Sequence, residues 1–282
     1  MDKIKIITDS TCDLPQSIIE KFDIEVIPLL VTINGETYKD REELVFSEMM
    51  EKIKASGELP TTTQINPQRF YEYYKKYIDE GYKIVSVHIS SKMSGTAQSA
   101  LIAKDMLETD DIEVVDSQNV TSGLGILVLE AQNLKEKGYG YREIANELRN
   151  ITDNVKSALL FTSLDNLIKG GRLSKTAGAI GNLLGIKLIL DVSNGMMNVR
   201  EKIRGTKKGV KSIISYIDEK GVREGSKLIF LTAGLEDTEV KETIISALKE
   251  RNIDYIEAEV GCVVGVHSGT NACGFFFLEK NN

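Results

Sequence analysis

The chain has 282 residues, of which 41% are hydrophobic and 27% charged, with a formal net charge of −7 at pH 7. That length exceeds one ordinary domain and the composition supports a buried core, so two domains are expected. The negative balance argues against nucleic acid or an anionic membrane as the main partner, and no stretch approaches the roughly 18 apolar residues that cross a bilayer. The three cysteines (Cys12, Cys262 and Cys273) are an odd count without paired spacing. They imply a reducing compartment rather than disulfides or zinc. With only a short apolar run near Ile4 and no signal-type segment, a cytoplasmic location is expected.

Short β-branched runs at Ile4 to Ile7, Ile24 to Ile27, Lys83 to Ile89 and Ile112 to Val115 read as strands. Helical patterns lie between them, at Pro15 to Phe22, Ser47 to Ser56, Pro67 to Glu80 and Thr96 to Leu107. Asn66-Pro67 supplies a cap and a proline at the first helical position. Such alternation predicts a parallel sheet covered by helices on both faces. Leu29 to Tyr38, centred on Asn34-Gly35, reads instead as a hairpin.

Helices at Gly123 to Lys137 and Tyr141 to Asn150 carry the chain to a predicted domain boundary between residues 153 and 154. Beyond it, strands are expected at Ser157 to Thr162, Lys187 to Asp191, Met196 to Val199, Leu228 to Thr232, Tyr255 to Val260 and Gly274 to Leu278. Helices are expected at Leu164 to Lys169, Thr176 to Leu184, Thr206 to Glu219 and Glu239 to Glu250, and Asn194-Gly195 marks a hairpin that makes this second sheet mixed.

Ligands of open parallel sheets gather at the carboxyl ends of the strands. Polar clusters fall there at Thr8-Asp9-Ser10-Thr11, Ser90 to Thr96 and Asp116-Ser117, while Thr61-Thr62-Thr63-Gln64 precedes a helix with no evident strand before it. Ser94-Gly95-Thr96 at a helix start reads either as an N-cap or as an anion site built on free backbone N–H groups. Asp9 and Asp116 fit capping or turn roles better than metal binding, and His88, inside an apolar run, reads as structural. His267 is expected on a loop between Gly265-Val266 and Ser268-Gly269. A Ser94/His267 nucleophile pair would make a stand-alone hydrolase or acyltransferase, although no Gly-x-Ser-x-Gly elbow is present. With no phosphate loop either, the chain has no evident ATP site. Lys169 to Lys175, with Arg200, Arg204, Lys207 and Lys208, is either a solvated basic face or a surface for an acidic or phosphoryl-bearing partner. Ala177 to Leu190 and Val260 to Val266 mix small and branched residues, which suits either ordinary packing or a narrow apolar slot.

Thr8-Asp9-Ser10, Thr62-Thr63-Gln64, Ser90 to Thr96, Gly170-Gly171-Arg172-Leu173-Ser174 and the glycine-flanked His267 together resemble the DegV family, the fatty-acid-binding subunits of bacterial fatty acid kinase. The resemblance implies an N-terminal α/β/α sandwich with a parallel sheet over residues 1–153 and a C-terminal α/β domain with a mixed sheet over 154–282. It also implies one long-chain fatty acid between them and no other cofactor. By position, Thr62, Thr63, Ser94 and His267 would hold the carboxylate, and Arg172 and Arg204 would dock a separate ATP-binding kinase subunit. The chain departs from the family pattern in reading Ile65 where a proline is usual and Ser268-Gly269-Thr270-Asn271 after the histidine. A lipid-sensing regulator without a kinase is a further alternative.

Overall fold

The computed structural model describes residues 2–173 and 185–280. Four short strands, β1 (Lys3–Asp9), β2 (Glu25–Ile27), β6 (Tyr82–His88) and β7 (Ile112–Asp116), form an all-parallel sheet in the order β2-β1-β6-β7. Helix α1 (Gln16–Lys21) leads from β1 to β2. Residues 4 to 9 of β1 are buried without alternation, as they must be when both faces of a sheet are covered. One covering pair is α3 (Pro67–Asp79) and α4 (Thr96–Met106); the other is α5 (Ser122–Glu136) and α6 (Tyr141–Ile151).

Strands β3 (Leu30–Ile33) and β4 (Glu36–Lys39) make the expected hairpin, and helix α2 (Phe46–Ser56) follows. An unforeseen third strand, β5 (Thr61–Thr63), pairs antiparallel with β3 and places Thr62 opposite Val31. The cluster expected to lack a strand is therefore itself one. Three consecutive threonines give no period to read, and a neighbouring edge creates the strand.

The second half is a six-stranded mixed sheet in the order β10-β9-β8-β13-β11-β12. Its strands are β8 (Val155–Phe161), β9 (Ile186–Ser193), β10 (Met196–Arg204), β11 (Leu228–Ala233), β12 (Tyr255–Glu259) and β13 (Ala272–Leu278). Only β11 and β12 run parallel. The β9–β10 hairpin extends to Arg204, well past the expected Val199, because a bulge between Val199 and Glu201 keeps the pairing in register with Ile186. Helix α7 (Asp165–Gly170) follows β8 as expected, while the helix expected at Thr176 to Leu184, and with it most of the Ala177 to Leu190 slot, lies outside the described residues. Helices α8 (Thr206–Lys220) and α9 (Thr238–Glu250) match expectation.

Period-two alternation decides what this sheet does. Phe275 and Phe277 of β13 pack under α8 and α9 in one hydrophobic cluster, while Phe276 and Leu278 join the main core shared with the parallel-sheet half. The inner face thus looks towards α5 and the ends of β1 and β6, and the gap between the halves is where a cavity opens.

Candidate ligand site

A cavity of about 540 Å³ lies in that gap, within the size range of small-molecule sites. Its walls come from Ile89 and Val120 of the first half and Leu159, Phe161, Leu231 and Ala233 of the second. Its polar lining includes Thr62, Thr63, Gln64, Ser94, Arg172 and His267. Four separate segments deliver them, and each is held by a specific contact.

Thr62 arrives on β5. Its Oγ1 stands 3.2 Å from His267 Nε2. Thr63 neighbours it on the cavity lining. Ser94 sits one residue before Gly95, the cap of α4, so it is not the N-cap itself; Gly95 makes no side-chain cap bond. The Gln64 side chain locks β5 to this turn. Its Oε1 accepts from Gly95 N (3.1 Å) and its Nε2 donates to Ser99 Oγ (3.2 Å). The amide lies so close over Gly95 that a Cβ there would collide with it.

The N–H groups of this turn are already engaged. Ser91 N donates to Asp116, Lys92 N to Ser90 Oγ, Met93 N and Ser94 N to Ser90 O, Gly95 N to Gln64 and Thr96 N to Ser94 Oγ. The amides of residues 91 to 96 are therefore not free for an anion, since the turn, Asp116 and Gln64 already take them. Asp9 and Asp116 are similarly saturated: Asp9 accepts from Thr11 N, Thr11 Oγ1, His88 Nδ1 and Ile89 N, and Asp116 from Ser91 and Gln118.

His267 does not lie on a loop. It occupies the last turn of a seven-residue helix, α10 (Cys262–Ser268). Two buried carboxylates of the first half hold the other end of this helix. Asp13 Oδ1 accepts from Gly261 N (2.8 Å) and Asp40 Oδ1 accepts from Cys262 N (2.7 Å). Ser10 Oγ donates to the second oxygen of Asp40 (2.7 Å), and Arg41 reaches Asp13, Leu14 O and Glu259 O. Burial pushes Asp13 up to about 7, against the pull of Arg41, and burial also raises Asp40. The His267 ring sits so close to Gly170, the last residue of α7, that a Cβ there would collide with its Nδ1. Burial, and then the nearby Arg172 guanidinium, lower the imidazole from 6.5 to about 4. At neutral pH it is an uncharged hydrogen-bonding group.

Arg172 is half-buried and spans the gap. Its Nε donates to Met93 O (3.2 Å) and its Nη1 to Gly170 O. Arg204 is elsewhere: it is exposed at the end of β10, while Leu173 bridges to Met197 seven residues earlier on that strand. At about 3.4 Å per residue the two arginines stand roughly 24 Å apart along the strand direction. The structure thus brings Thr62, Thr63, Ser94, His267 and Arg172 to one cavity and leaves Arg204 outside it.

The nucleophile pairing considered for a hydrolase is not made. Ser94 Oγ bonds to Thr96, and His267 Nε2 faces Thr62. Among the described residues His267 has no carboxylate partner to orient it as a base. The described residues also contain no cluster of three potential metal-ligating side chains, and no described helix is long and apolar enough to cross a membrane.

The DegV family profile matches residues 3–280. The chain belongs to the DegV family. A DegV domain-containing protein of Clostridium acetobutylicum is 52% identical over 99% of this chain and all of its own length. A relative named fatty acid-binding protein, from Thermotoga maritima, is 32% identical, covering 97% of this chain and 96% of that one. Among solved structures, a DegV family protein from Thermus thermophilus, described for its fatty acid binding, superposes with a TM-score of 0.89 at 28% identity, covering 98% of this chain and 99% of that one. The two-part α/β architecture with one parallel and one mixed sheet is the DegV fold expected from the motifs.

Sequence reasoning missed Gln64 as a tie between β5 and α4, and the Asp13/Asp40 grip on α10. The signals were present but silent: a glutamine and two aspartates carry no mark of partners at sequence separations of up to 248 residues.

Proposed function

We propose that this DegV protein holds one long-chain fatty acid in the cavity between its halves, taken as domains 1–153 and 154–282, with the carboxylate at Thr62, Ser94 and His267 and with Thr63 beside them. The observation that carries the proposal is a cavity of about 540 Å³ with apolar walls and hydroxyls gathered with a neutral imidazole around part of its lining. The names of the Thermotoga and Thermus relatives point the same way. Burying about 14 methylenes at roughly 0.8 kcal/mol each offers roughly 11 kcal/mol before the acyl chain is ordered, enough for tight binding without a salt bridge to the head. Neutral donors leave the carboxylate free to react later.

Since the chain has no phosphate loop of its own, the acyl group is presented to a separate ATP-dependent kinase. There a carboxylate oxygen attacks the γ-phosphorus, ADP leaves, and an acyl phosphate forms. Arg204, exposed, is a docking group for that kinase. Arg172, which lines the cavity and donates to Met93 O, is a second docking group for that partner. The test is to purify the protein from a bacterial host, denature it, and identify the lipid released by mass spectrometry. Near-stoichiometric fatty acid is the expected result. Protein that arrives empty and takes up no added fatty acid overturns the proposal.

A further inference from the structure

We infer that Thr96, which does not touch the cavity, fixes Ser94 as a donor-only group and thereby makes the site select a carboxylate over a head group that must itself donate, such as a primary amide. The inference rests on the fatty-acid reading of the cavity and concerns how its head is chosen.

A hydroxyl has one proton to give and two lone pairs to receive. Thr96 is fully buried at the first position of α4, and among the described residues its hydroxyl meets only Ser94 Oγ, at 2.9 Å. Either oxygen could be the donor on distance alone. Burial decides between them. If Ser94 donated, the Thr96 proton would be left without a partner in a dry site, a loss of about 1–3 kcal/mol. Ser94 has no such constraint, because it is half-exposed and lines the cavity, where its proton can find a ligand or solvent. Thr96 therefore donates. The Thr96 backbone N–H also donates to Ser94 Oγ, at 3.3 Å. Both lone pairs of Ser94 are then occupied and its own proton must point elsewhere, into the cavity. An acceptor-only carboxylate suits that arrangement. An amide can accept through its carbonyl, but its NH₂ then gains nothing from Ser94 and needs acceptors among the remaining groups.

The experiment measures displacement of a bound fluorescent fatty acid by oleate and by oleamide, which share one chain. Wild-type protein should prefer oleate. Thr96→Val keeps the side-chain shape and removes the hydroxyl. It leaves the Ser94 proton in place but frees one Ser94 lone pair to accept from an amide, so the preference for oleate over oleamide should narrow by roughly tenfold, the scale of one hydrogen bond. Thr96→Ser should restore the preference, which a purely structural role for the threonine methyl would not predict. Ser94→Ala, an independent variant, should abolish most of the preference. A preference in Thr96→Val unchanged from wild type, or wild-type protein without preference, would overturn the inference alone. Wild-type protein that binds neither ligand would overturn the fatty-acid reading and this inference with it.

Discussion

The molecule contains two histidine-centred polar clusters, and they behave oppositely. In the first, Tyr74 OH donates to Ser86 Oγ (2.7 Å), Ser86 Oγ meets His88 Nε2 (2.6 Å), and His88 Nδ1 meets Asp9 Oδ2 (3.0 Å). That is the connectivity of a hydrolytic triad, yet all four residues are fully buried and none lines the large cavity. In the second, His267, Thr62 and Ser94 lack a carboxylate and form no relay, but they line the cavity and retain spare hydrogen-bonding capacity. Internal satisfaction marks the first as a structural strap between β1, β6 and α3. Unspent capacity beside an apolar slot is what the proposed fatty acid site requires of the second.

The sharpest way to break this contrast is His88→Ala. It leaves Asp9 and Ser86 short of a partner in a dry core and should cost about 3–5 kcal/mol in urea denaturation. The affinity of the folded protein for fatty acid should change little. A large loss of affinity with unchanged stability would reverse the two roles.

Gly95→Ala attacks the second cluster instead. A methyl group there displaces the Gln64 amide that ties β5 to α4, separating Thr62 from Ser94. Fatty acid affinity should fall by roughly tenfold or more, the equivalent of one hydrogen bond, with stability reduced by only about 1–2 kcal/mol. Calorimetric titration paired with a melting curve separates the two effects.

Smaller effects appear in the pH dependence of stability. His267, held at about 4, binds fewer protons folded than unfolded between pH 4 and 6.5, so its contribution makes stability rise with pH across that window. Asp13, held at about 7, binds more protons folded than unfolded between roughly pH 4 and 7, so its contribution falls over nearly the same window. The two slopes oppose one another in the wild type. His267→Asn should remove the rising part and Asp13→Asn the falling part, and denaturation midpoints across pH 4 to 8 would read both. Parallel curves for all three proteins would contradict the assignment.

Smallest of all is Arg204→Ala. The side chain is exposed at the end of β10, so stability should stay within about 0.5 kcal/mol and lipid binding should not move. Phosphorylation of bound lipid by the proposed kinase should fall. A loss of lipid binding would place Arg204 functionally with the cavity after all.

Much of the fold was legible because the period of burial follows the period of the element. The runs at Ile4, Lys83 and Ile112 and the amphipathic α3 and α6 announce themselves, as do the Asn34-Gly35 and Asn194-Gly195 turns, whose residues all take positive φ. The two elements that were missed carry site residues. Strand β5 is three threonines long, and α10 is a short, glycine-bounded helix with both its faces packed, so neither has a polar side to betray its period. The motifs around Thr62, Ser94, Arg172 and His267 supplied residues that the fold brings to one cavity, since hydroxyls and a glycine-flanked histidine carry their chemistry with them.

By itself, then, the sequence determined the alternation of elements, the division into a parallel and a mixed sheet, the family, and the residues from which a site would be drawn. Tertiary structure alone decided that Thr62 and His267, 205 positions apart, meet at 3.2 Å. It also decided that the amides of residues 91 to 96 already have acceptors, that Arg172 lines the cavity while Arg204 does not, and that His88 is sealed. The physical reason is the same in each case. Local propensity depends on neighbours along the chain, whereas the availability of a donor depends on which distant group has already taken it.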